Sequence, residues 1–284
     1  MKKYFSLVLF AHSVFALPFA FIGFFLAITT THHEFNWLKF GLMLACMVFA
    51  RNAAMAFNRY LDRDIDALNP RTAVRDIPAG RITAQKALRF TIINCVLFVA
   101  TTFLINPLCF YLSPIALLVV LGYSYTKHFT ALCHLVLGLG LGLAPLGAYL
   151  TITGEFNMVP IFYSLAVIFW VSGFDIIYAL QDEDFDRQHN LKSIPTLMGT
   201  KGALKLSEVL HAFSAIFVIL PIFYLSLSWL YIIGIVLYVF LLIYQHRIVS
   251  PNDLSRVDRA FMTTNGVASV VFAIFFLLDI LLLK

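Results

Sequence analysis

Nine apolar stretches, each near the roughly 20 residues an α-helix needs to cross a hydrocarbon core, constrain this 284-residue chain more than any other feature. They fall at 5–29, 37–60, 84–105, 108–126, 131–152, 159–181, 203–226, 228–245 and 261–283. With 61% hydrophobic and only 12% charged residues, the chain is far too apolar for a soluble domain of this size. The expected fold is all-α: one transmembrane domain over 1–284, with nine membrane-spanning helices around a central cavity. Lys2 and Lys3 precede a run longer than a usual signal-peptide core, so the first stretch reads as a retained helix.

The basic residues test this division, because a wrong count would scramble them between alternate loops. Seventeen of the 20 Lys and Arg fall on one side, among them Lys2, Lys3, Arg59, Arg63, Arg71, Arg75, Arg81, Lys127, Arg187 and Lys192. That side is expected to be cytoplasmic, with the N-terminus inside, the C-terminus outside, and the protein in the inner membrane. The net charge of +5 follows from this topology and calls for no nucleic acid. Cys46, Cys95, Cys109 and Cys133 all lie within spans without Cys-x-x-Cys spacing and read as inert.

The second span ends in Asn58-Arg59-Tyr60-Leu61-Asp62-Arg63-Asp64-Ile65-Asp66. If the helix continues, Asn58, Asp62 and Asp66 share one stripe at about 6 Å of rise apart. The sixth span ends in Gln181-Asp182-Glu183-Asp184-Phe185-Asp186, again with two aspartates four apart. Four spans separate these copies, which suggests parallel pseudo-repeats. Carboxylates this close repel by roughly 3 kcal/mol per pair at 5 Å and an effective dielectric of 20, so something positive is expected between them. Magnesium fits, since it takes one or two carboxylates and completes its shell with water and phosphate.

Other polar positions gather at the same end. Arg51 lies two turns deeper than Asn58, and an ionisable residue at such depth costs about 2.5–3.5 kcal/mol on insertion scales and so suggests function or a buried pair, for example with Asp175. The loop 67–83 carries Arg71, Arg75 and Arg81, whose forks match phosphate oxygens. With loop 187–202 it is expected to cover the site. Tyr123 and Lys127 close the fourth span; alone they would be ordinary interfacial anchors. Gly138 and Gly142 form a small-xxx-small pair suited to close helix contact. His211 and Asn265 read as helix-to-helix hydrogen-bonders, and the loop pair His32-His33 as solvated. Two aspartate pairs ringed by Arg and Lys at one membrane face describe a site for metal ions and a diphosphate whose lipid tail lies between helices.

These residues resemble the UbiA superfamily of intramembrane prenyltransferases. Its first motif, Asn-Asp-x-x-Asp-x-x-x-Asp, is matched by Asn58, Asp62 and Asp66, its second by Asp182 and Asp186, and its Tyr-x-x-x-Lys motif by Tyr123 and Lys127. The stretch Phe174–Asp182 looks like that of members that prenylate 4-hydroxybenzoate. The resemblance implies magnesium-assisted ionisation of a polyprenyl diphosphate and attack on the allylic cation by a ring carbon of an aromatic carboxylate. On that reading Asn58, Asp62 and Asp66 hold one metal, and Asp182 and Asp186 the other. Arg63, Arg71, Arg75, Lys127 and Lys192 bind diphosphate, and Tyr123 shapes the surroundings of the cation. Arg51 faces the acceptor carboxylate, with Asp175 lining the acceptor pocket or taking part in proton removal. Two departures stand out: Arg59 replaces the family's Asp, and Asn190 stands where Gly is common. The Arg59 variant also looks like a branch acting on a naphthoate in menaquinone synthesis. An ion-coupled transporter would need acidic residues near the midplane of several helices, whereas here most sit at one end. Prenyl chain length and oligomeric state are left open.

Overall fold

A computed structural model of the chain describes residue 7 and residues 14–282. Lys2, Lys3, Lys284 and the start of the first predicted span lie outside them. The described residues form an all-helical, multi-pass membrane protein. Eight helices are long and apolar enough to cross a bilayer, joined by a shorter apolar helix at Leu17–Thr31. The elements are α1 (Leu17–Thr31), α2 (Trp37–Leu61), α3 (Arg63–Leu68), α4 (Ala84–Ile105), α5 (Pro107–Thr126), α6 (Cys133–Thr153), α7 (Met158–Ala179), α8 (Glu183–Gln188), α9 (Ile194–Ile219), α10 (Trp229–Ile248) and α11 (Asn265–Leu282).

Local chemistry sets most boundaries. Asn36, Thr83, Asn106 and Asn157 accept hydrogen bonds from the backbone N–H groups of Lys39, Lys86, Cys109 and Val159 and so start α2, α4, α5 and α7. α1 closes on His32 in the left-handed region, φ 54°. α9 begins nine residues before the predicted 203, because Ser193 and Thr196 form a reciprocal capping box and Pro195 suits a first turn. Of the predicted loop 187–202, only 189–193 is therefore a connection. A backbone kink at Gly199, φ 70°, separates this first turn from the spanning part of α9.

The two aspartate stretches share a local shape, which differs from the continuous stripe expected. Asn58, Asp62 and Asp66 do not lie on one continuous helix: α2 stops at Leu61, Asp62 takes φ −83° and ψ 0°, and the six-residue α3 follows. The second copy breaks alike. α7 ends at Ala179, a 3₁₀ turn covers Leu180–Asp182, and the six-residue α8 follows.

The main core packs Trp170 and Phe174 of α7 against Phe15 just before α1, Phe19 of α1, Tyr238 of α10 and Phe272 of α11. Helix α7 is the hub, with 67% of its span buried, while α2, α4 and α5 bury only 17%, 22% and 11%. Those three helices form an outer wall, and the space between them and the core is the cavity described below. Gly138 and Gly142 do allow close contact: a Cβ on Gly138 would lie 2.4 Å from the Ile168 carbonyl oxygen. His211 and Asn265 bond across helices as expected, His211 to His246 at 2.7 Å and Asn265 to the Trp170 indole N–H at 2.8 Å. Asp279 accepts the backbone N–H groups of Ser228 and Tyr231, both at 2.9 Å, and so caps α10.

Candidate active site

The two helix breaks face one cavity of about 1140 Å³. Its charged end is lined by Asn58, Arg59, Asp62, Asp66, Asp182 and Asp186, with Arg71 and Arg75 from the loop after α3 and Lys127 and Lys192 beside them. Arg51, Tyr123 and Asp175 line it one step deeper.

The breaks matter chemically, because each ends the helix where its last side chains turn into the cavity rather than along the bilayer. Asp62 is 2% and Asp66 4% exposed. Neither carboxylate is left uncompensated. Asp62 Oδ2 takes Lys127 Nζ at 2.6 Å and the Asn58 amide at 3.0 Å, and Asp66 Oδ1 takes Arg75 Nη1 at 2.5 Å. Asp182 is gripped by Arg71 through Nε at 2.9 Å and through Nη2, and by the Asn69 amide at 3.1 Å. Burial works against the Arg71 charge, but the pairing with Asp182 outweighs it and holds the guanidinium above its ordinary range. The loop carrying these arginines is itself tied down: Thr72 donates to the Asp66 carbonyl at 3.0 Å, and Arg81 staples Asp76 at 2.7 Å.

The basic side chains therefore occupy the spaces between carboxylates. Among the described residues, no three His, Cys, Asp or Glu side chains come together as a metal cluster. The donor set nevertheless fits magnesium. Asp62 Oδ1 and Asp66 Oδ2 are buried oxygens with no hydrogen-bond partner, an arrangement that costs free energy unless a cation takes them, and magnesium needs only one or two protein carboxylates.

Arg63 departs from expectation. It is not part of the cavity lining. Its guanidinium donates to the Tyr60 carbonyl at 2.8 Å, pairs with Asp64 at 3.3 Å and stacks over the Tyr60 ring. The break at Asp62 rotates the residue after it away from the cavity, and Arg59, 9% exposed, lines the cavity instead. Asn190 adopts φ 56°, the left-handed conformation its replacement of Gly requires.

Two further polar residues, His134 and Tyr178, line the cavity, and the sequence alone assigned neither a role. His134, 3% exposed at the start of α6, accepts the Ile194 backbone N–H at Nε2, 3.3 Å, so its Nδ1–H donates to Asp175 Oδ2 at 2.7 Å. Asp175 is thus held by His134. Tyr178 accepts Arg71 Nη1 at its hydroxyl, 2.7 Å, while its ring lies beneath the same guanidinium and stacks on Phe261 at 4.2 Å. A polar residue inside an apolar span was the available signal for His134; its partner, 41 residues away, was not.

A family model of the UbiA prenyltransferase family matches residues 16–276. The 4-hydroxybenzoate octaprenyltransferase of Tolumonas auensis is 30% identical over 239 residues, 83% of each chain. A UbiA homologue from Aeropyrum pernix, solved in its apo form, is 32% identical and superposes with a TM-score of 0.85 over 95% of this chain and 98% of its own. A UbiA homologue from Archaeoglobus fulgidus bound to DMAPP and Mg2+ shares the fold, with a TM-score of 0.79 at 23% identity over 96% of this chain and 97% of its own.

Proposed function

Because this chain belongs to the UbiA prenyltransferase family, we propose that it transfers a polyprenyl chain from its diphosphate to a ring carbon of 4-hydroxybenzoate in quinone biosynthesis, releasing diphosphate. The observation that carries this reading is the single cavity: two aspartate pairs, each matched by basic side chains, close one end, and an apolar channel continues from it. A relative that carries the name 4-hydroxybenzoate octaprenyltransferase supports the acceptor, and a homologue bound to DMAPP and Mg2+ supports the donor and the metal.

Asn58, Asp62 and Asp66 would hold one magnesium ion and Asp182 and Asp186 the other, with Asp62 Oδ1 and Asp66 Oδ2 as oxygens ready for it. When bound, magnesium neutralises the diphosphate and makes it a competent leaving group. The protein's own residues do the rest. Lys127, Arg71 and Arg75 already stand within reach of the motif carboxylates, and each is positioned to turn from its aspartate to a phosphate oxygen. Arg59 and Lys192 add positive charge to the same wall. The allylic C–O bond breaks with its electron pair leaving on diphosphate, and Tyr123 and the apolar lining exclude water from the cation. Arg51 holds the acceptor carboxylate. A ring carbon then forms the new C–C bond, and the proton it loses passes to Asp175, which His134 keeps oriented as a hydrogen-bond acceptor.

The chain acts as one domain in the inner membrane. Its Lys and Arg distribution supports a cytoplasmic N-terminus and active-site face, and an outer C-terminus. The test is to incubate the purified protein with magnesium, a polyprenyl diphosphate and either 4-hydroxybenzoate or a dihydroxynaphthoate. Prenylated benzoate is the expected product. Prenylated naphthoate alone would reassign the acceptor, and no prenylated aromatic product from either would defeat the reading.

A further inference from the structure

The cavity runs well beyond its charged end, and the glycines of α6 divide according to which face they occupy. Gly138 and Gly142 face α7, where a Cβ would come within 2.4 Å and 2.6 Å of Ile168. Gly140 and Gly147 line the cavity instead. A Cβ on Gly140 would meet only Val120, at 3.7 Å, and one on Gly147 would meet nothing within 4 Å. Helix packing does not require glycine at 147; the space in front of it is simply left open.

Gly140, Ala144, Gly147 and Thr151 follow one another at steps of four, three and four residues, which sets them on one face of α6, and all four line the cavity. Thr151 satisfies its hydroxyl on the Gly147 carbonyl at 3.0 Å. Across the cavity, Ser113 of α5 donates to the Phe110 carbonyl at 2.8 Å. Polar atoms in this part of the wall are thus spent on their own helices, and the groove needs no polar ligand. It is continuous with the end where Asp62 and Asp66 each keep one buried oxygen without a partner.

From His134, beside Asp175, to Gly147 is thirteen residues, or about 20 Å of helix. A five-carbon prenyl unit has four backbone bonds of about 1.5 Å and extends by roughly 5 Å. Gly147 therefore stands about four prenyl units beyond Asp175. We infer that Gly147 is a length-determining residue: its missing side chain lets the tail of a long prenyl diphosphate pass between α5 and α6, and a larger residue there would restrict the enzyme to short donors. This rests on the prenyl-transfer reading above.

The test uses the full-length protein with magnesium and 4-hydroxybenzoate, and compares geranyl with octaprenyl diphosphate across Gly147→Ala, Gly147→Leu and Gly147→Phe. Geranyl transfer is expected to stay within about threefold of the parent, which also reports that each variant is folded, while octaprenyl transfer falls with side-chain size and by at least about tenfold for phenylalanine. Gly41→Leu, at an exposed glycine of α2 that is equally unhindered but outside the cavity, should change neither rate. Equal losses for the two donors across the series, or none for either, would overturn the inference and direct the tail sideways into the lipid. If the parent transfers neither donor, the prenyl-transfer reading itself has failed and this inference falls with it.

Discussion

Replacing His134 by alanine should separate two functions of one buried ring. The substitution removes the Nδ1–H that Asp175 accepts at 2.7 Å and the Nε2 that receives the Ile194 N–H at 3.3 Å. A hydrogen bond to a charged group contributes about 1.5–3 kcal/mol, and a stranded buried N–H costs about 1–3 kcal/mol. The first loss falls on Asp175. Its side chain is 23% exposed, so the lower end of the range applies. At about 1.4 kcal/mol per factor of ten, turnover should fall roughly tenfold. The second loss falls on the first turn of α9 and should lower the melting temperature without touching chemistry. His134→Gln, whose amide can both donate and accept, should recover most of each. The assay is steady-state kinetics at saturating magnesium, run beside thermal unfolding of the same preparations. The KM for the donor should not move, since none of the diphosphate-facing side chains bonds to His134. An alanine variant with the parent's turnover, or a glutamine variant no better than alanine on both readouts, would refute the reasoning.

Other outcomes follow from the same geometry. Lys127→Ala should raise the donor KM by about tenfold, because a charge-assisted contact at the site is lost, whereas Arg63→Ala should change it by less than about twofold, since an exposed pair such as Arg63–Asp64 is worth little. Both are read in one kinetic comparison. Gly138→Leu should prevent stable folding, or cost at least about 1–3 kcal/mol in thermal or chemical unfolding, because its Cβ would collide with backbone of α7; Gly147→Leu should leave stability near that of the parent.

What could be read from the sequence follows the range of the interactions involved. The spans were legible because hydropathy is local, and several starts fell where a capping Asn, Thr or Ser stood. The aspartate pairs were legible because i, i+4 spacing is nearly preserved through the breaks: Asp62 N–H still reaches the Asn58 carbonyl at 2.9 Å and Asp66 N–H the Asp62 carbonyl at 2.7 Å. The break itself was not legible, and it is why Arg63 stands outside the cavity lining while Arg59 lies within it, since a change in helix direction after Asp62 decides which neighbour faces the cavity. The start of α9 was not legible because Gly199-Thr200-Lys201-Gly202 interrupts the apolar run between the short leading segment Ile194–Met198 and the spanning part, so an apolar-run criterion begins only at 203. His134 and Tyr178 act through partners 41 and 107 residues away, and no spacing rule connects residues that only the tertiary fold brings together.

The central claim is that both aspartate pairs grip the same diphosphate. Equilibrium binding of a non-ionisable prenyl diphosphate analogue, with and without magnesium, tests it directly on the parent, Asp62→Ala, Asp182→Ala and the double variant. One analogue should bind per chain only with magnesium, each single variant should weaken it by at least about tenfold, and the double should be far from additive because the two clusters share one ligand. Parent-like affinity in either single variant, or two independent sites lost one at a time, would contradict the account.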